Sequence, residues 1–119
     1  MKKAIIIEDN FIIGLYIRRQ LEKSNVRVVA TIDRGEDLAA MVREHHPDVL
    51  LIDVNLGGPM DGIDAASELP GDLKPALIFI TGTSDKNICE RILKLNPLGL
   101  LSKPIDMETF RNILSKIEK

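Results

Sequence analysis

Apolar positions along this chain follow two alternating rhythms. Short runs rich in β-branched residues recur as AIII (4–7), VRVVA (26–30), VLLI (49–52), ALIFI (76–80) and LGLL (98–101). Runs of this length read as strands: the third reads as buried on both faces, the second rests on its β-branched residues despite Arg27, and Gly99 is the irregularity in the fifth. Between them apolar residues return at helical spacing. A first helix is predicted over 11–23, with Leu15, Tyr16 and Leu21 among its apolar residues and Asp9 or Asn10 as N-cap. A second is predicted over 36–45, carrying Leu38, Met41 and Val42 and stopped by Pro47. Ile63, Ala66 and Leu69 mark a short third helix ended by Pro70-Gly71. Ser84 is the expected cap of a fourth, with Ile88, Ile92 and Leu95 on one face and Asn96-Pro97 at its end. Asp106 caps the last, with Phe110, Ile113, Leu114 and Ile117 turned inward.

Strands alternating one-for-one with helices through short connections imply a parallel sheet covered on both sides. Right-handed crossovers restrict the winding, and the expected architecture is a doubly wound, flavodoxin-like α/β sandwich with strand order 2-1-3-4-5. No linker interrupts the pattern, so residues 1–119 are read as one domain.

Composition narrows the function classes. Of 119 residues 45% are apolar and 29% charged, enough for a core of ordinary globular kind. A formal net charge of −2 argues against nucleic-acid binding. No apolar run approaches the ~20 residues of a membrane span, and an acidic pair interrupts the short apolar run of MKKAIIIEDN before it can act as a signal segment. The single cysteine, Cys89, excludes an internal disulfide and fits a reducing, cytoplasmic setting; it reads as a small buried hydrophobe on a helix. His45 and His46 read as exposed residues at a helix end, remote from any site.

In an open parallel sheet, ligands bind outside the carboxyl ends of the strands, where the winding reverses. Glu8 and Asp9 follow strand one, Asp53 strand three, Thr81 strand four, and Ser102 and Lys103 strand five. The order 2-1-3-4-5 brings Glu8, Asp9 and Asp53 together, with Thr81 and Lys103 approaching from the other side. Two carboxylates at ~4 Å repel by about 1 kcal/mol in water and about 4 kcal/mol at an effective dielectric of 20. A hard cation relieves such crowding, and oxygen-only ligands suit magnesium, or manganese, better than zinc. Cation, ammonium and hydroxyl together form a receptacle for a phosphoryl group, with Asp53 the nucleophile able to form an acyl phosphate. Gly57-Gly58 lacks the Gly-Lys-Ser/Thr of a nucleotide loop.

With these residues in place, the whole chain resembles the receiver domains of two-component response regulators. Glu8-Asp9, Asp53, Thr81 and Lys103-Pro104 fall at that family's intervals, and PMDGIDAA is similar to the stretch opening its third helix. The resemblance implies that Asp53 is the phosphoacceptor, taking a phosphoryl group from a phosphohistidine on a sensor histidine kinase or phosphotransfer protein. It implies magnesium held by Glu8, Asp9, Asp53 and the main-chain carbonyl of Asn55, with Thr81 and Lys103 reporting the phosphoryl group to the rest of the domain. It also implies a cytoplasmic monomer or weak homodimer that binds neither nucleic acid nor membrane. Met1 reads as a natural start, and the chain fits a stand-alone receiver, a phosphorelay intermediate or part of a longer protein.

Four positions depart from the family pattern. Leu100 stands where an aromatic switch residue is common, Gly57 replaces a frequent proline, and Asn96-Pro97 replaces a Gly-Ala pair. Leu100 and Pro97 are the grounds for an alternative, a receiver-fold docking module with impaired switching. An aspartate-nucleophile phosphatase is a further alternative; against it, Asn55 cannot exchange a proton two residues after Asp53, and no cap region is present. A flavin site is disfavoured because Glu8 and Asp9 would repel its phosphate.

Overall fold

The computed structural model describes residues 1–117. In chain order it contains β1 (Lys2–Ile7), α1 (Phe11–Lys23), β2 (Val26–Ile32), α2 (Leu38–His45), β3 (Val49–Asp53), α3 (Gly62–Ser67), β4 (Ala76–Thr81), α4 (Lys86–Leu93), β5 (Gly99–Ser102) and α5 (Met107–Ile117). The strands form one sheet in the order β2-β1-β3-β4-β5, and every neighbouring pair is parallel, as the sequence predicts.

Alternation along each strand divides the core into two layers. Ala4, Ile6, Val49, Leu51, Ile78 and Ile80 face α1 and α5, where Ile17, Leu21, Phe110 and Leu114 meet them. Ile5, Ile7, Leu50, Ile52 and Phe79 face the other way, onto Leu38 and Val42 of α2, Ile63 of α3 and Ile92 of α4. All five residues of β3 are buried, as befits a central strand with helices on both sides.

Several local expectations are corrected. Leu15 and Tyr16 of α1 are exposed; the buried ridge is Gly14, Ile17 and Leu21, whose spacing keeps it on one face. Of the two expected caps of α1, Asn10 is the one used, accepting from the Ile13 N–H at 3.1 Å. The predicted second helix opens instead as a 3-10 turn at Gly35–Asp37. Asp85 rather than Ser84 caps α4, because its carboxylate reaches the N–H groups of both Asn87 and Ile88. Leu69 lies beyond the end of α3, and β5 starts at Gly99 rather than Leu98. Gly99 itself is explained by α5, since a Cβ there would lie 2.6 Å from Ile113 Cδ1. Cys89 is only half-buried on α4. His46, exposed, ends α2 in the left-handed region (φ 48°), whereas His45 is half-buried. Among the described residues no helix is long and apolar enough to cross a membrane.

Candidate functional site

The chain leaves β1 on one side of the sheet for β2, and enters β4 and β5 on the other, so the winding reverses between β1 and β3. Ile7 pairs with Ile52 in that register, which puts Glu8 and Asp53 side by side at the strand ends. Asp9 follows on the loop into α1. Oxygens of Glu8, Asp9 and Asp53 lie within 4.8 Å of one another. Glu8 and Asp53 are buried and Asp9 is exposed, so the cluster opens outward through Asp9.

Each buried carboxylate is held from the main chain. Glu8 Oε2 accepts from the Asn10 N–H at 3.2 Å, and Asp53 Oδ1 from the Asn55 N–H at 3.2 Å. Lys103 enters from the end of β5 and donates through Nζ to Asp53 Oδ2 at 3.0 Å. The same ammonium lies 3.7 Å from Glu8 Oε1, a buried oxygen with no hydrogen-bond partner. The peptide between Lys103 and Pro104 is cis.

The electrostatics follow from this packing. Burial first, then hydrogen bonding and repulsion from Asp53, push the Glu8 carboxyl up to about 7 against the opposing pull of the Asn10 N–H and Lys103. Burial acts to lower Lys103, but its hydrogen bond to Asp53 and the charges of Asp53, Glu8 and Asp9 outweigh it and raise the ammonium above its ordinary range. Three carboxyl groups thus face one ammonium. An all-oxygen donor set with an orphaned buried oxygen fits a hard divalent cation.

Thr81 ends β4, buried. Its Oγ1 accepts from the Thr83 N–H at 3.1 Å, and its carbonyl accepts from the Lys103 N–H at 2.9 Å, so the Thr81 and Lys103 main chains are joined directly. Asn55 is exposed at the start of the β3–α3 loop. Gly57 in that loop takes φ 66°, with its Cβ position 3.6 Å from Asp9 Oδ2. Ser102 is exposed and pairs with Thr81 across the sheet. Leu100 is half-buried within the core layer against α4.

Sequence reasoning missed two residues that shape the site. Gly62 donates its N–H to the Val54 carbonyl at 2.9 Å, and a Cβ there would lie 2.3 Å from the Asp53 carbonyl oxygen. Arg91 of α4 pairs with Asp61 and Asp64 at the start of α3. The Asp-x-x-Asp spacing of 61 and 64 was the available signal for the capping box found there. Nothing local to Arg91 marked it.

Known proteins carry the same arrangement of strands and helices. Residues 4–115 match the family model described as the response regulator receiver domain. The chain is 26% identical over 106 residues to the transcriptional regulatory protein PdtaR of Mycobacterium tuberculosis, covering 89% of this chain and 51% of that protein. It is 28% identical over 112 residues to the response regulator GacA of Pseudomonas aeruginosa, covering 91% and 51%. The chain thus spans about half the length of these curated relatives. Among solved structures, the signal receiver domain of a modulated diguanylate cyclase from Desulfovibrio desulfuricans G20 superposes with a TM-score of 0.87 at 29% identity, over 98% of this chain and 93% of that one. The BeF3-activated N-terminal receiver domain of Klebsiella pneumoniae RstA shares the fold, with a TM-score of 0.84 at 21% identity over 98% and 99% of the two chains. Sheet order, acidic strand ends and the family match agree: the chain belongs to the response regulator receiver domains.

Proposed function

We propose that Asp53 accepts a phosphoryl group from a phosphohistidine on a sensor histidine kinase or phosphotransfer protein. A carboxylate oxygen of Asp53 attacks phosphorus as the bond from phosphorus to the donor imidazole nitrogen breaks. The electron pair leaves with that nitrogen, which takes up a proton, and Asp53 becomes an acyl phosphate. Glu8, Asp9, Asp53 and the main-chain carbonyl of Asn55 would hold magnesium, or manganese in its place. Such an ion, when bound, neutralises phosphoryl oxygens as their charge moves. Lys103 Nζ, already 3.0 Å from Asp53 Oδ2, neutralises them from the other side. The Thr81 oxygen accepts from Thr83, which leaves its own O–H proton to donate to the phosphoryl group. The acceptor acts in the cytoplasm, as a monomer or weak homodimer, and changes the surface offered to a downstream partner.

The observation that carries this reading is the junction of Lys103 with Asp53 inside a carboxylate cluster. Incubation with a small acyl phosphate and magnesium tests it. The wild-type chain is expected to take up label and Asp53→Asn to take up none; label retained in Asp53→Asn removes Asp53 from this role. A second reading, a docking module that no longer switches, is favoured by the aliphatic Leu100 in the core layer. It predicts labelling without any change at α4. A turnover phosphatase would instead process added phosphomonoesters, and slow decay of the label without such processing argues against it.

A further inference from the structure

The cap of α3 is built from two acids. Asp61 Oδ1 accepts from the Asp64 N–H at 2.8 Å, and the Asp61 N–H donates to Asp64 Oδ2 at 3.2 Å. A capping box ordinarily sets a neutral hydroxyl opposite an acid or amide. Here two carboxylates face each other and repel unless a cation stands between them. Arg91 supplies it from α4: Nη1 donates to Asp61 Oδ2 at 3.0 Å, and Nη2 to Asp64 Oδ1 at 2.9 Å and Asp61 Oδ1 at 3.4 Å. Burial acts to raise the Asp61 carboxyl, but the Asp64 N–H and the Arg91 guanidinium outweigh it and hold it below its ordinary range.

The far side of this cap rests on the main chain of Asp53. Gly62, the residue after Asp61, is bonded to the Val54 carbonyl and leaves no room for a Cβ against the Asp53 carbonyl. The loop from Asn55 to Asp61 is therefore closed at its root by Gly62, while Arg91 grips its end. Asn55, at its start, donates to the Asp53 carboxylate. A continuous line of contacts thus runs from α4 through Arg91, the acidic cap and Gly62 to the backbone that bears Asp53. Along β5 the position facing α4 is the aliphatic Leu100, which has no ring to turn.

We infer that Arg91 is a positioning residue: by clamping the two-acid cap of α3 it fixes the loop that presents Asn55 to Asp53 and couples occupancy of the Asp53 pocket to α4. The clamp stands on its own geometry, and its consequence for signalling rests on the phosphoacceptor reading of Asp53.

Amide hydrogen exchange on the full chain with magnesium, with and without beryllofluoride as phosphoryl mimic, tests the clamp. Asp61→Asn keeps an N-cap acceptor while removing the charge, and Arg91→Gln removes the cation. Both are expected to speed exchange of the Gly62 N–H about fivefold, while the Ile6 and Leu51 amides at the sheet centre keep wild-type rates. Arg91→Lys is expected to recover part of the protection. Beryllofluoride should alter α4 exchange in the wild type, with the change shrinking by about half or more in Arg91→Gln. Gly62 exchanging at the wild-type rate in Arg91→Gln, with only α4 amides faster, would overturn the inference and reduce Arg91 to a surface ion pair. A wild-type α4 that ignores beryllofluoride while the Asn55 amide responds, or an α4 response undiminished in Arg91→Gln, would overturn the coupling. A wild-type chain in which neither Asn55 nor any other amide responds, while Gly62 still responds to Arg91→Gln, would sink the phosphoacceptor reading and leave the clamp standing.

Discussion

A carboxyl group pushed up to about 7 beside a second buried carboxylate gives Glu8 a charge state that changes near neutral pH. Its folded-state value exceeds its ordinary value of 4.5, so between these two the folded chain binds more protons than the unfolded one. Its contribution to stability is therefore present at acid pH and is lost as pH rises from about 4.5 to about 7. Denaturant unfolding in chelator should show that decline in the wild type and a flatter profile in Glu8→Gln; identical slopes would mean Glu8 is not confined as described. Asp9→Asn relieves like-charge repulsion in the same cluster. It should stabilise the metal-free protein by about 1 kcal/mol, a rise of a few degrees in Tm, while weakening the response to magnesium. The carboxylates were legible in the sequence because each follows a clear apolar run, and Lys103 because it follows the fifth run despite Gly99; strand order then brings them together. The unpartnered state of Glu8 Oε1 was not legible, because it depends on where the Lys103 side chain comes to rest, 3.7 Å away.

At the scale of elements, β3 and α3 meet closely at Gly62. Gly62→Ala forces a methyl group against the Asp53 carbonyl oxygen and the Ile52 side chain. Overpacking of this kind costs about 1–3 kcal/mol, and here it would also displace the Asp53 backbone. Gly71→Ala meets open space and serves as the control, expected within about 0.5 kcal/mol of wild type. Equal losses in the two, measured by urea unfolding, would contradict the close approach at Gly62. Buried strands were legible from their unbroken apolar runs, since any residue facing either helical layer had to be apolar. Helix details were less so. Leu15 and Tyr16 share α1 with Ile17 and Leu21, and only the packing direction decides which ridge is buried; Tyr16 lies instead beside Met107 of α5, bonded through its hydroxyl to the thioether. Ser84 and Asp85 are both good caps, and a one-residue difference in where the helix turns selects Asp85.

For the molecule as a whole, the sheet edge concentrates negative charge that the unfolded chain disperses. An ion binding the assembled cluster and not the unfolded chain stabilises by mass action, about 2.7 kcal/mol at a concentration 100-fold above its Kd. Magnesium should therefore raise the Tm of the wild type and do so much less in Asp9→Asn. Equal melting of both proteins with and without magnesium would show that the cluster does not bind the ion. The order of the strands was legible because five short βα units leave few right-handed windings, whereas the Arg91–Asp61 pair between α4 and the cap of α3 joins residues 30 positions apart and left no periodic trace. A phosphoryl group carried by Asp53 can be located chemically. Borohydride reduces an aspartyl phosphate to homoserine, so peptide mapping of the labelled, reduced chain locates the modified position. Homoserine at position 53 alone is expected; homoserine at position 9, at another carboxylate position or nowhere would rule out Asp53 as the phosphoacceptor.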